Sequence, residues 1–381
     1  MANKDFNIKI NHLLLVWARE SVRIAPAYAA QELKMTEEEI KKLEEGTLIP
    51  TYNQLLEFSK LYGKPIGAFL LNMVPEEKPL PKDYRTVQSQ EVNELHDKTL
   101  LSIRRVRGLV EDAIELRKEM GVILPKWDYA SSLNENVEEV AINFRKLFNL
   151  LEFNKIENEN NALDYLITQF ENSGILVFQT SLTQDEVRGF SLTDEAVPVI
   201  VIRRADRQTA KPFTIFHELG HILLHDGGIC NFKEKGIAAK VEKWCNQLAA
   251  SILIPLENLL IEDMVQFQKR SGNKYWQLMT LTRLGQKYHV GPEVVLRRLY
   301  NANLTTKEFY EEKHEKWNSG FLGGRGGGKP RDRIKEQIKE KGKNFTRLAL
   351  EALDKQKISI KDFADYMDVK IDQINKIPTY L

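Results

Sequence analysis

The chain has 381 residues, 42% hydrophobic and 29% charged, with 55 Lys and Arg against 54 Asp and Glu. That mix excludes a wholly disordered chain, and a net charge of +1 excludes a basic footprint for nucleic acid spread over the whole molecule. The only two cysteines, Cys230 and Cys245, exclude a disulfide-built scaffold, and the longest apolar runs are too short to span a bilayer. A cytoplasmic location without a membrane partner is therefore expected.

Residues 11–72 read as short helices. Leu13, Leu14, Val16 and Trp17 follow a helical period, and Pro26 suits a first helical position. Thr36 and Glu39 form a capping box ahead of EEEIKKLEEG, and Pro50-Thr51 opens another helix. Residues 73–135 hold a Pro- and charge-rich linker followed by a long helical segment. Two further helical patterns lie at about 136–149 and 161–173, separated by the polar stretch NKIENENNA. Three strands follow, around Ile175–Phe178, Val187–Leu192 and Val197–Ile202, the last two as a hairpin. Either member of that hairpin is an expected sheet edge against which an extended peptide could align. Helices then run to about residue 300. Residues 301–330 read as a flexible, Gly-rich linker, and 331–381 as a C-terminal helical module.

The densest chemical signal is FTIFHELGHILLH. On a helix His217 and His221 share a face, about 6 Å apart along the axis, so both imidazoles can close on one zinc ion. Glu218 then projects beside an open coordination position, where it can move protons as a general base. The apolar flanks imply a buried helix, and a buried polar cluster needs partners. His225 lies about 12 Å further along the axis, too far to join both histidines, and reads as a structural or supporting residue. In VEKWCNQLAASILIP, Glu242 is the better third ligand. Asn246, one turn on, can hydrogen-bond a ligating group from outside. The cysteines match no structural zinc spacing.

HELGHILLH followed by E-x-W-C-N-x-x-A-A-x-x-L-x-P resembles the ImmA/IrrE family of zinc metallopeptidases, the M78 peptidases. The likeness runs from about Arg188 to Pro255. It implies a zincin-like catalytic domain over 136–300, with His217, His221 and Glu242 as zinc ligands and Glu218 as general base. The family often carries a second glutamate two residues after the ligand, where this chain has Trp244. LGQKYHVGPEVVLRRLY resembles the segment closing the family's catalytic domain, and Tyr288 or His289 is a candidate to approach the site.

Residues 11–72 resemble an XRE-type helix-turn-helix, through TEEEIKKLEEG and Glu44-Glu45-Gly46-Thr47-Leu48-Ile49-Pro50-Thr51. Seven basic and eight acidic residues leave this segment near −1. The presumed reading helix opens with three glutamates, which repel phosphates. DNA and a protein partner both remain open for it. Basic charge gathers instead between Arg325 and Arg347, nine Lys and Arg against three acids.

The expected fold is α+β and mostly helical: a five-helix N-terminal helix-turn-helix, a zincin-like domain with a small three-stranded sheet and the HExxH helix, and a C-terminal helical module. The expected function is zinc-dependent cleavage of a specific regulatory protein, a repressor or an antitoxin. The alternative is a DNA-binding transcription regulator whose zinc site is structural or vestigial. A third reading is a toxin–antitoxin or stress-signalling component that acts by binding.

Overall fold

A computed structural model describes residues 6–22, 24–75, 97–182, 188–193, 196–225, 235–319 and 332–381. Side chains at 97–100, 225, 235–238 and 318–319 lie outside that description, as do Cys230, the linker residues 76–96 and the Gly-rich run at 320–328. The chain forms two compact units, the first ending within the long helix at Gly108, the second taking nearly all that follows.

The first unit holds α1 (Leu13–Glu20), α2 (Pro26–Leu33), α3 (Glu37–Glu44), α4 (Tyr52–Tyr62) and a 3-10 helix over Ile66–Leu70. Its helices start where side chains can satisfy the free N–H groups of a first turn. Thr36 accepts from Glu39 N and Glu39 bonds back to Thr36 N, and Thr51 and Gln54 repeat the pattern at α4. The core gathers Leu15, Ala18, Ile40, Leu43, Leu55, Phe58 and Phe69. Across it Arg19 of α1 clamps α3, with Nε and Nη2 on the two oxygens of Glu44 at 2.6 and 2.9 Å. Helix α5 (Asp97–Glu119) begins in this unit.

The second unit is mostly helical with one small sheet, an α+β arrangement. It continues with α6 (Val137–Leu147), α7 (Leu150–Phe153) and α8 (Glu159–Asn172). Helix α8 starts inside the polar stretch read as a loop, because Asn158 accepts from the N–H groups of Asn160 and Asn161. Strands β1 (Leu176–Thr180), β2 (Gly189–Leu192) and β3 (Val199–Arg203) are ordered β1-β3-β2. Strand β3 pairs parallel with β1 and antiparallel with β2. Of the two candidate edges, the Val197–Ile202 segment is therefore central and cannot offer a free edge. The β2 segment lies at one side. All three strands are buried throughout, so the central place of β3 (VIVIR) follows from its pairing on both sides.

Helix α9 (Lys211–His225) packs against β2 and β3, and α10 (Lys235–Leu253) packs on α9 and α6. The core around them includes Phe148, Phe170, Phe216, Leu219, Leu223, Trp244 and Leu248. Arg298, almost fully buried, locks the end of α10 by donating to Glu138, Ser251 Oγ and Ile254 O. There follow α11 (Leu256–Leu260), α12 (Asp263–Ser271), α13 (Leu278–Lys287), α14 (Pro292–Asn301) and α15 (Lys307–Ser319).

Helix α15 corrects the expectation of a flexible linker over 301–330. Residues 307–319 are helical and pack on α14, with Phe309 buried and Tyr310 stacked on Tyr300 at 5.1 Å. The glycines at 320–328 dominated the compositional reading and masked the aromatic residues before them.

The C-terminal residues form α16 (Arg333–Lys341), α17 (Lys343–Asp354), α18 (Ile360–Met367) and a 3-10 helix over Ile371–Tyr380. They pack within the second unit. Helix α16 lies against β1, Asn344 donates to Glu171 Oε2 at 2.8 Å, and Arg204 pairs with Glu336 at 3.2 Å. None of the described helices is long and apolar enough to cross a membrane.

Candidate metal centre

Three elements build the site. Helix α9 is apolar along TIFHELGHILL, so it sinks into the core and carries its polar residues in with it. His217 is fully buried, Glu218 is 1% exposed and His221 6%. Helix α10 crosses it at very short range. A Cβ placed on Gly220 would lie 2.9 Å from Cys245 Sγ and 3.1 Å from its Cα, so only glycine lets the two backbones approach this closely. That approach brings Glu242 and Asn246 of α10 over the histidine face of α9.

His217 Nε2 and His221 Nε2 are 3.1 Å apart. Glu242 Oε2 lies 3.4 Å from the first and Oε1 3.3 Å from the second. Ligands bound to one tetrahedral zinc at about 2.0–2.2 Å stand roughly 3.3 Å from one another. One ligand atom from each of the three side chains lies within 4.8 Å of the others, close enough for the group to hold one metal ion. The donor set, two imidazoles and a carboxylate, is also one that zinc favours.

The surroundings fix the imidazoles. Asn246 Oδ1 is 3.1 Å from His217 Nδ1. An amide oxygen there accepts the Nδ1 proton and leaves the Nε2 lone pair directed at the cluster. Cys245 hydrogen-bonds His221 in turn. Burial opposes a charge on His221, but the carboxylates of Glu242 and Glu218 favour it, and its pKa lies well above the usual histidine range. The field at this point therefore favours positive charge. Burial keeps the Cys245 thiol protonated by pushing its pKa up.

Glu218 lies under the start of β2. A Cβ on Gly189 would meet Thr214 Cγ2 at 2.5 Å and approach Glu218 Oε1 to 3.4 Å. Glycine at the first position of β2 thus lets the edge strand pass directly over the carboxylate. Beside it runs a cleft of about 800 Å³ lined by Phe213 and Thr214 of α9, Arg188 before β2, Val294 and Arg297 of α14, and Trp317 of α15.

The structure therefore brings together His217, His221 and Glu242, sets Asn246 behind His217, and places Glu218 beside β2. It takes Tyr288 and His289 elsewhere: the Tyr288 hydroxyl donates to Glu262 at 2.9 Å, and the His289 ring packs on Phe153 at 4.8 Å. The side chain of His225 lies outside the described residues. Cys245 and Gly220 were missed as contributors. The signal for Gly220 was its place inside the motif, on the face turned to a second helix.

Residues 170–300, about a third of the chain, match the family model described as Peptidase_M78, IrrE N-terminal-like domain. The match contains the strands, α9 and α10, and it supports a metallopeptidase of this family. No curated protein and no solved structure gave a match.

Proposed function

We propose that this chain is a zinc-dependent endopeptidase that cleaves a specific regulatory protein, a repressor or an antitoxin. The observation that carries the reading is the convergence of His217, His221 and Glu242 at tetrahedral spacing, with a buried carboxylate beside them. A purely structural zinc site closes its fourth corner with a protein ligand. Among the described residues only these three converge as a metal-binding group, the three-ligand set expected of a catalytic site.

When bound, zinc supplies Lewis acidity toward a peptide carbonyl and toward water. Each of the chain's own groups has a distinct task. His217 and His221 present Nε2 lone pairs, and Glu242 adds the negative charge. Asn246 keeps the His217 ring in the ligating tautomer. Glu218 accepts a proton from the attacking water at its carboxylate and returns it to the leaving amine nitrogen. Strand β2 lies at one side of the sheet and its first residue, Gly189, passes over Glu218, which makes this the segment along which an extended peptide would be aligned. The cleft beside Phe213 and Trp317 accommodates side chains flanking the scissile bond.

The first unit supplies recognition. Its α2–turn–α3 arrangement fits a helix-turn-helix, and α3 exposes Glu37, Glu38 and Glu39. Lys42 is held by Glu38 at 2.8 Å. An acidic exposed face of this kind suits a protein partner better than a phosphate backbone.

Glu218→Gln tests the assignment. It should keep a stoichiometric zinc ion and lower peptide hydrolysis by about 10²–10⁴-fold, the usual worth of a general base. Metal analysis and cleavage of candidate repressors encoded beside this protein would check it. Normal cleavage by the variant would remove Glu218 from the mechanism.

A further inference from the structure

The basic stripe near the C-terminus is not used by the site described above. Lys335, Lys339, Lys343 and Arg347 are spaced four apart, and the structure folds all of them onto one cavity of about 770 Å³. The cavity lies between α8, β1 and the corner where α16 meets α17, all within the second unit. Its size suits a single small molecule.

The charge around it is only partly compensated. Lys343 pairs with Asp164 at 3.0 Å, and Arg347 Nη2 donates to the backbone oxygen of Leu381. Lys335 and Lys339 have no carboxylate within ion-pair distance among the described residues. Behind the wall, Lys211 is only 2% exposed, and among the described residues its ammonium reaches a single partner, the neutral oxygen of Gln179, at 2.9 Å. Gln179 itself lines the cavity.

The groups acting on Lys211 are Lys339 and Arg204, which repel its charge, and Asp206 and Asp164, which favour it. Both acids are already engaged, Asp206 by Arg203 and Asp164 by Lys343. Burial, with Lys339 next, pulls the Lys211 pKa down to about 8. Lys211 is also the first residue of α9, where a helix disfavours a cation. One neutral feature completes the lining. Gln208 donates from Nε2 to Asn160, but its buried Oε1 has no partner among the described residues, leaving an acceptor for a hydroxyl or amine.

We propose that this cavity binds a small phosphate-bearing molecule of nucleotide size. Lys335 and Lys339 hold the phosphates, and Lys211 adds a third positive charge from behind Gln179. The unpartnered Gln208 oxygen accepts from a hydroxyl or amine of the same molecule. An anion there bridges the C-terminal helices to the first turn of α9, six residues before His217. Occupancy is thereby linked to the helix that carries the metal ligands.

The test uses the full-length, zinc-loaded protein with ADP as probe, read by calorimetric titration and by thermal unfolding. ADP should bind saturably, raise the melting temperature, and bind more weakly as salt is added. Lys339→Met should weaken ADP binding about tenfold or more, the scale of a lost charge-assisted hydrogen bond, while zinc content stays unchanged. Lys211→Met should weaken it several-fold and raise the melting temperature without ligand. Equal affinity in wild type and Lys339→Met would overturn the proposal, as would failure of ADP to bind saturably. A single-stranded 15-mer that binds more tightly than ADP and loses affinity with Lys339→Met would transfer the site to nucleic acid and overturn the small-molecule assignment.

Discussion

Arg19 with Glu44, and His217 with His221 and Glu242, are both clusters of charged or ionisable side chains drawn into a core. In the first, donors and acceptors cancel. The guanidinium meets both carboxylate oxygens of Glu44 and gives a further hydrogen bond to Ile24 O at 2.9 Å. Glu44 holds the Arg19 pKa above its ordinary value, so the pair is closed on itself. In the second, two imidazole nitrogens and one carboxylate oxygen lie within 4.8 Å of one another, a donor set that suits a cation from outside. A buried ionisable group points to function when its own chain leaves it open, and to architecture when the chain closes it.

The sharpest way to break that contrast is Glu242→Ala. Removing the third donor should empty the site and cost about 10³-fold or more in hydrolysis, several kcal/mol of lost Lewis-acid stabilisation. Metal content by mass spectrometry and the effect of chelation on unfolding would report it. Retention of zinc at wild-type affinity would show that the carboxylate is no ligand.

Arg19→Met should act on stability alone. It strands Glu44, whose side chain is 13% exposed, and should cost about 3 kcal/mol. The double variant Arg19→Met, Glu44→Leu should recover most of that loss, because an apolar pair can replace a closed ion pair. Urea unfolding of the full chain measures both, and zinc binding should not change in either. A double variant as unstable as the single one would contradict the closed-pair reading.

Lys211 is an intermediate case, a buried charge with only an amide for company. Its folded pKa of about 8 lies below the ordinary 10.5, so between those values the unfolded chain binds more protons than the folded one. Its contribution makes stability rise with pH from about 8 toward 10.5, by an amount on the order of 2–3 kcal/mol. Below pH 8 the full penalty is present. The difference in stability between Lys211→Met and wild type should therefore shrink across that range. A pH-independent difference would mean that the ammonium is solvated or paired.

The smallest effect is expected from Asn246→Ala. Loss of the outer hydrogen bond on His217 should weaken zinc about tenfold without removing it. Competition with a chromophoric chelator would show this, and unchanged affinity would deny Asn246 its orienting role.

Much of the site was readable along the chain because it rests on helical spacing. His217 and His221 are one turn apart, and so are Glu242 and Asn246, so each pair was assigned to one face without knowledge of the fold. Thr36 and Glu39 were legible for the same reason, since a capping box is local. Strand order was not legible. Val199–Ile202 is rich in Val and Ile whether it lies at an edge or in the middle, and only pairing on both sides made β3 central. Helix α15 was hidden by the glycines that follow it, and the start of α8 by its polar composition.

The sequence by itself determined which candidate ligands share a helix face, since residue types four apart do so in any fold that keeps the helix. Only the tertiary structure decided that α9 and α10 cross at Gly220 and Cys245, so that a carboxylate 21 positions after His221 completes the cluster. It also decided that β2 passes over Glu218 and that the basic stripe of α16 and α17 faces the root of α9. Those meetings depend on packing between distant segments, where close approach is set by small residues and buried area rather than by local period.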